Sequence, residues 1–154
     1  MYRVLCADLN HPDHARGIIE CLDAYARDPM GGGTGLSDSV RAQVIDGLKA
    51  HPASVTFIAM AADEVVGVAV CFMGYSTFRA RPRLNLHDLV VLPSHRGQGL
   101  GRRLLEAVVE HARCQNCCAV SLEVRQDNPV AQALYRTLGF GALDDPMEFW
   151  IKPV

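Results

Sequence analysis

Three glycines within six residues mark the stretch of this chain with the clearest chemical potential. Gly97, Gly99 and Gly101 alternate with other residues in the sequence RGQGLG, which covers residues 96–101. Glycine lets the backbone turn tightly and approach a ligand closely, and the N–H groups that open a helix attract anions. The spacing therefore predicts a backbone site for an anion, most often a phosphate.

Two common glycine-rich phosphate sites do not fit this sequence. A P-loop ends in Gly-Lys-Ser/Thr, whereas Gly101 is followed by Arg102 and Arg103, so the phosphate-binding lysine and the magnesium-binding hydroxyl are missing. A dinucleotide fingerprint needs G-x-G-x-x-G, whereas the glycines here follow G-x-G-x-G. What remains is an Arg-x-x-Gly-x-Gly pattern that begins at Arg96.

A buried strand and an amphipathic helix are predicted on either side of this loop. The apolar, β-branched run at residues 89–92 indicates the strand, and Pro93 ends it. After the loop, apolar residues recur at helical spacing and indicate one buried face, formed by Leu104, Leu105, Val108 and Val109. The anion site is therefore expected where a strand ends and a helix begins.

A second motif lies downstream, and the two motifs together point to one family. Residues 128–140 read NPVAQALYRTLGF and resemble N-x-x-A-x-x-L-Y-x-x-x-G-F, while residues 96–101 resemble the acetyl-CoA pyrophosphate loop, both of the GNAT superfamily of N-acetyltransferases. The resemblance is good over residues 55–152. It implies an α/β (α+β) fold: a mixed, mostly antiparallel sheet of about seven strands flanked by four helices. Its two central parallel strands, here residues 86–92 and 120–124, would splay apart.

The resemblance implies acetyl-CoA as the co-substrate, with its pantetheine arm lying between the splayed strands. Backbone groups of three consecutive strand residues would pair with that arm, and N–H groups of the glycine loop would hold the pyrophosphate. Asn128 would cap the following helix and is also a candidate to bond the arm. The implied cofactor-binding residues are Leu89, Val90, Val91, Arg96, Gly97, Gln98, Gly99, Leu100, Gly101, Arg102 and Asn128.

Tyr135 and Asp88 are the candidate catalytic residues. Tyr135 stands where many members of the family have a tyrosine that acts as general acid toward the CoA sulfur, although an amphipathic helix also uses tyrosine for packing. Acetyl transfer needs a deprotonated amine as well, and Asp88 lies just before the expected thioester position. Strand neighbours point to opposite faces, so Asp88 and His87 can both face the cleft only if a bulge intervenes. Glu123 and a water relay are the alternatives for the base.

The predicted reaction transfers acetyl to a primary amine of a small molecule by direct attack on the thioester. The likeness is to the small-molecule amine and diamine acetyltransferases. The spermidine/spermine branch, however, has Glu-Asp where this chain has His87 and Asp88, which argues against a polyamine. A protein acetyltransferase acting on an N-terminus or lysine, and a non-catalytic acyl-CoA-binding module, stay open. A homodimer is expected on family grounds alone.

Composition argues against several other classes of protein. With 154 residues the chain predicts one domain, 1–154, and a net charge of −2 offers no basic surface for nucleic acid. No apolar run approaches the ~18 residues of a membrane span and no secretion signal is visible, so we expect a cytoplasmic protein. The single C-x-x-C at residues 114–117 lacks a second ligand pair, so we expect free thiols and no metal site.

The remaining pattern predicts the outer parts of the fold. Residues 28–35 contain four glycines and one proline, which indicates a mobile loop that either borders the acceptor site or is a plain linker. Further strands are predicted at residues 2–9, 55–61, 65–75 and 84–92, with a final pair at 140–143 and 149–151. Helices are predicted from about residue 12 to 27 and over 37–48.

Overall fold

The computed structural model describes residues 1–141 and 147–154. Within these residues it contains five strands and four α-helices: β1 (Tyr2–Cys6), α1 (Pro12–Arg27), α2 (Asp38–Ala50), β2 (Ser54–Ala61), β3 (Glu64–Ser76), β4 (Arg81–Val91), α3 (Leu100–Cys114), β5 (Val120–Leu122) and α4 (Pro129–Arg136). None of the described helices has the length and apolar character needed to cross a membrane.

The five strands form a single sheet in the order β1-β2-β3-β4-β5. β1 to β4 pair with antiparallel neighbours, whereas β4 and β5 are parallel. The parallel pairing runs only from Leu84 opposite Val120 to Leu86 opposite Leu122. Beyond that point β4 continues to Val91 without β5, so the two central strands part as the sequence predicted.

A β-bulge at His87 lies at the point where the strands part. Asp88 is opposite Val70 on β3 and Leu86 is opposite Cys71, so His87 is an extra residue in β4. The bulge reverses the alternation of side chains. Leu86 and Leu89 therefore pack in the same layer although they are three residues apart, while Val90 packs in the other.

Helices cover both faces of the sheet. The apolar face of α3, including the fully buried Leu104 and Leu105, packs against one face of the strands. Ile18 of α1 and Ile45 of α2 pack with residues from the other face. Helix starts follow local sequence: Pro12 opens α1, and the Ser37 hydroxyl accepts a hydrogen bond from the N–H of Val40 at 3.3 Å to cap α2.

The predicted final pair of strands is wrong for the residues that the structure describes. Phe140 turns back onto α4, where its N–H donates to the carbonyl of Tyr135 at 3.2 Å, and residues 149–151 are exposed and join no sheet. Leu143, which also belonged to the predicted pair, lies outside the described residues. The sheet therefore has five strands there rather than about seven.

Truncation of the core beneath the sheet should destabilise the protein strongly. Leu104 is 0% exposed, so we expect Leu104→Ala to lower the free energy of unfolding by about 2–5 kcal/mol through lost burial and a residual cavity. Urea unfolding followed by circular dichroism measures this. Val130→Ala, at a side chain that is 80% exposed, is the control and should change stability little. An equal loss in both variants would contradict the position of α3.

Candidate functional site

The glycine loop joins the end of β4 to the start of α3. A 3₁₀ turn at Pro93–His95 follows the strand, and α3 begins at Leu100, whose side chain is buried. Gly97 and Gly99 have φ values of 75° and 74°, in the left-handed region that side chains with a Cβ disfavour. These two glycines therefore set the path of the backbone into the helix.

Six consecutive amides in this loop have no acceptor within the described residues. None of the hydrogen bonds there uses the N–H groups of residues 97–102, and no side chain caps the N-terminus of α3. The amide of Arg96 differs, because it donates to the Pro93 carbonyl at 3.3 Å. The amides from Gly97 onward are therefore without a partner in this part of the chain, whereas that of Arg96 is bonded within its own turn.

The loop is open on the side where an anion would approach. A methyl group added at Gly97 or Gly99 would meet no atom within 4 Å. At Gly101 it would lie 3.2 Å from Cδ2 of Leu134, so this third glycine lets α3 pack closely against α4. The three glycines therefore have two different roles: two expose the backbone and one permits helix packing.

Strand alternation decides which β4 amides face the gap beside β5. The N–H of Leu92 donates to the carbonyl of Val66 on β3 at 2.9 Å. Because successive amides of a strand point to opposite edges, those of Leu89 and Val91 face away from β3, and that of Val90 faces β3. Of the three predicted strand residues, two therefore present an N–H to the gap.

A cavity of about 110 Å³ lies where the strands separate. Its wall combines the ends of β4 and β5 with α4 and the last turn of α1. The lining residues are Tyr25, Leu86, His87, Leu89, Leu122, Glu123, Val124, Arg125, Asn128, Ala131 and Tyr135. The cavity thus unites Tyr135, Asn128 and Leu89 from the sequence prediction, while Asp88 is not among the lining residues.

Asn128 and Tyr135 are fixed by the two ends of α4. The Asn128 side-chain oxygen accepts from the N–H of Ala131 at 3.1 Å, so this residue is the N-cap that the sequence predicted. At the other end Gly139 adopts a φ of 82°, and the N–H groups of Gly139 and Phe140 donate to the carbonyls of Arg136 and Tyr135. This is a Schellman motif, and it packs the Phe140 ring against the Tyr135 ring with centroids 6.1 Å apart.

Two phenols share the cavity wall. Burial raises the pKa of Tyr135 above its ordinary value, and the neighbouring Tyr25 raises it further. Burial is likewise the main cause that raises the pKa of Tyr25, followed by the charges of Asp88 and Asp28, with Arg125 acting in the opposite direction. Tyr25 was not among the site residues that the sequence predicted. Its place at the last turn, next to a glycine-rich loop, was the available signal.

Asp88 is a half-buried carboxylate without a hydrogen-bonding or ionic partner among the residues described. Burial raises its pKa above the ordinary range, and the charge of the adjacent His87 opposes that rise. Asp88 also raises the pKa values of Tyr25 and Cys71, which lie near it on the α1 side and within the sheet. The bulge leaves His87 exposed at the cavity and places Asp88 behind it.

Residues 28–36, which include the loop that the sequence predicted at residues 28–35, contain a short turn that is bonded to α1. Pro29–Gly31 is a short 3₁₀ turn, and Asp23 accepts from the N–H of Leu36 at 2.8 Å. Asp23 also pairs with Arg27 and Arg41, and the hydrogen bond from Arg27 is the main cause that lowers its pKa. The turn therefore lies fixed beside the last residues of α1.

Among the described residues, no group of three or more histidine, cysteine, aspartate or glutamate side chains is arranged to hold a metal ion. The polar side chains that line the cavity supply two phenols, an imidazole, a carboxylate, a guanidinium and a carboxamide. Such groups hold anions and move protons.

Comparison with known proteins adds sequence relatives. Thialysine N-epsilon-acetyltransferase of Bos taurus is 37% identical over 75 residues, covering 49% of this chain and 44% of that protein. N-alpha-acetyltransferase RimI of Mycobacterium tuberculosis (strain ATCC 25618 / H37Rv) is 41% identical over 76 residues, covering 48% and 46%. The matched part of the chain thus spans less than half the length of these relatives.

Fold comparison and a family model extend the likeness over most of the chain. The integron cassette protein VCH_CASS6 of V. cholerae superposes with a TM-score of 0.83 at 19% identity, covering 99% of this chain and 93% of that one, which shows a shared fold. The model of the acetyltransferase (GNAT) family matches residues 20–140. A match of that extent, over the loop, the parted strands and the cavity, means that this protein belongs to the GNAT family of acetyltransferases.

Proposed function

We propose that this protein is an acetyl-CoA-dependent N-acetyltransferase that acts on a primary amine of a small molecule. The observation that carries the proposal is the run of six free amides at residues 97–102, between the end of β4 and the first turn of α3. Membership in the GNAT family supports it. When bound, acetyl-CoA supplies an acetyl group activated as a thioester.

The chain has groups that fit the two polar parts of acetyl-CoA. The amides of residues 97–102 suit the diphosphate, and the dipole of α3 favours its negative charge. The N–H groups of Leu89 and Val91 suit the pantetheine arm. The guanidinium of Arg102 pairs with Glu106 at 2.8 Å, so this residue offers its amide rather than its side chain.

Asp88 is the proposed acceptor of the proton that the amine must lose. An alkyl ammonium group has a pKa near ~10, so at neutral pH a base has to remove its proton before attack. Asp88 has a pKa raised by burial and no competing partner among the described residues, but it does not line the cavity. We therefore assign its role through a water molecule, with His87 and Glu123 beside that water at the cavity wall.

Tyr135 is the proposed donor of the proton that the departing sulfur needs. Its phenol lines the cavity, and its hydroxyl makes no hydrogen bond within the described residues. Burial raises its pKa, so the Oη proton stays in place across the neutral range and is available for transfer to the CoA sulfur. The Schellman motif after α4 holds the ring in this position.

The acceptor class is supported by the small cavity and by one relative. A volume of about 110 Å³ suits a small aliphatic amine, and the Bos taurus relative is a thialysine N-epsilon-acetyltransferase. The Mycobacterium tuberculosis relative, an N-alpha-acetyltransferase, supports a second candidate, acetylation of a protein N-terminus or lysine. A homodimer, a cytoplasmic location and a single domain over residues 1–154 stay predictions from the sequence.

An amine panel tests the proposal directly. Calorimetry measures binding of acetyl-CoA, and thiol release measures turnover with thialysine, with a peptide that has a free N-terminus and with a peptide that has a free lysine. We expect micromolar-range binding and fastest turnover with thialysine. Fastest turnover with a peptide would favour the second candidate, binding with only slow acetyl-CoA consumption would indicate a non-catalytic module, and no binding would refute the proposal.

Gly99→Val should abolish acetyl-CoA binding. A β-branched side chain at a φ of 74° strains the loop, and its Cβ enters the open space beside the free amides. Calorimetric titration with acetyl-CoA measures this. The matched control is Gly33→Val, at a φ of 80° and with the same open surroundings in another loop, which should keep its affinity. Retained affinity in Gly99→Val would refute the diphosphate site.

Tyr135→Phe should lower kcat by about 10²–10⁴-fold, the usual contribution of a general acid, with little change in acetyl-CoA affinity. Stability should also stay unchanged, because the described residues offer this hydroxyl no hydrogen bond to lose. Steady-state kinetics and thermal unfolding measure the two effects. Tyr75→Phe, at a side chain that is 62% exposed, serves as the control. A normal kcat in Tyr135→Phe would assign the ring to packing alone.

Asp88→Asn should lose activity yet gain stability above the pKa of this carboxyl. The pKa of Asp88 is higher in the folded protein than in the unfolded protein. The folded protein is therefore most stable below the unfolded-state pKa, and it loses stability as the pH rises through the folded-state pKa. Removing the ionisable group should therefore raise Tm at pH 8, and the gain should vanish in acid.

The companion variant Glu123→Gln separates the two candidate bases. Glu123 is exposed at the cavity, so its replacement should leave Tm unchanged at every pH. If Glu123→Gln rather than Asp88→Asn removes the acidic limb of the pH–rate profile, the proton acceptor is Glu123. A lower Tm in Asp88→Asn at pH 8 would show that the carboxylate stabilises the fold.

A further inference from the structure

Asp28 connects the end of α1 to the turn that follows it. One carboxylate oxygen, Oδ1, accepts from the N–H of Met30 at 3.0 Å. The Asp28 carbonyl accepts from the N–H groups of Gly31 and Gly33 at 2.8 and 3.1 Å. Its own N–H donates to the carbonyl of Tyr25 at 2.9 Å. Asp28 therefore holds the first part of this turn, up to Gly33, by four hydrogen bonds.

The other carboxylate oxygen of Asp28 reaches the cofactor loop. Oδ2 lies 3.2 Å from Nη2 of Arg96, while Nε of Arg96 donates to the carbonyl of Val91 at 3.0 Å. The Asp28 side chain is 23% exposed and that of Arg96 is 52% exposed, so this ion pair is partly shielded from solvent. Arg96 thus links the last residue of β4 to the turn after α1.

The turn packs closely against Tyr25. A methyl group at Gly31 would overlap the Tyr25 carbonyl oxygen and would lie 3.2 Å from Cδ2 of its ring. The Tyr25 backbone is therefore held by the Asp28 amide and covered by Gly31, while its ring lines the cavity. The turn therefore contacts both the backbone and the ring of Tyr25.

We propose that the ion pair between Asp28 and Arg96 is a strut that holds the Tyr25 ring in the acceptor wall of the cavity. Asp28 and Arg96 are then positioning residues that act through Tyr25. The Arg96 side chain supports the part of the cavity that binds the amine acceptor, whereas the amides of residues 97–102 bind the diphosphate. The expected effect on amine kinetics rests on the proposed function, whereas the expected effect on the turn and on Tyr25 rests on the geometry alone.

Asp28→Asn and Arg96→Gln test the strut by a split in kinetic constants. Asparagine keeps the bond to the Met30 N–H and removes the charge. With thialysine as acceptor, we expect each variant to raise KM for the amine by about fivefold, the effect of a partly exposed ion pair, and to leave the Kd of acetyl-CoA within about twofold. Asp46→Asn, at an exposed pair with Lys49, is the control and should change neither constant.

A double variant shows whether the effect passes through Tyr25. In a Tyr25→Leu background, which keeps an apolar side chain but removes the ring, Asp28→Asn should add little further increase in KM, because coupled residues are not additive. Full additivity would overturn the proposal. A loss of acetyl-CoA affinity in Arg96→Gln alone would also overturn it, because the guanidinium would then serve the diphosphate.

Hydrogen exchange gives a readout that does not depend on activity. Without any ligand, Arg96→Gln should speed amide exchange of Gly31 and Gly33, whose N–H groups bond to Asp28, and leave exchange in α3 unchanged. Unchanged exchange at both glycines would refute the strut whatever the enzyme's activity. Wild-type protein that neither binds acetyl-CoA nor acetylates thialysine would refute the proposed function, while faster exchange would still support the strut.

Discussion

β4 carries one residue more than its partner at His87, and the position of the candidate site depends on that residue. Pairing with β5 ends at Leu86, immediately before the bulge, so the sheet opens between two strands that would otherwise remain parallel neighbours. The opening creates a cavity inside a well-packed sheet without loss of the flanking core layers. A kink of this kind concentrates irregular backbone at one place and leaves the rest of the ladder intact.

The bulge also determines the directions in which the backbone amides and the Asp88 carboxylate of β4 point. Beyond it, the amides of Leu89 and Val91 turn toward the gap and continue toward the free amides of the glycine loop. The Asp88 side chain turns instead toward α1, where burial raises its pKa. The donors that we propose for the ligand and the carboxylate that we propose as proton acceptor thus point in different directions from the same strand.

Local signals in the sequence were sufficient for much of this arrangement. Pro12, Ser37 and Asn128 mark the starts of helices by capping chemistry, and the alternating glycines mark the loop. Long-range contacts were not accessible in the same way. Tyr25 reaches the cavity only because Gly31 and Asp28 fold beneath it, and the link to Arg96 spans 68 residues. The predicted strand at Phe140 is wrong because Gly139 ends α4 in a Schellman motif, in which the N–H of Phe140 donates back to the Tyr135 carbonyl.

One consequence of the bulge concerns how this gene can change length. A strand repeats every two residues, so deletion of His87 would restore regular alternation, keep Leu86 and Leu89 in one layer and Val90 in the other, and remove the bulge at which β4 leaves β5. Deletion of one residue from a regular part of β4 would instead exchange the two faces on one side of the deletion and turn a different set of amides toward the gap. Insertions and deletions should therefore be tolerated in the turn at residues 77–80 and selected against between residues 84 and 92.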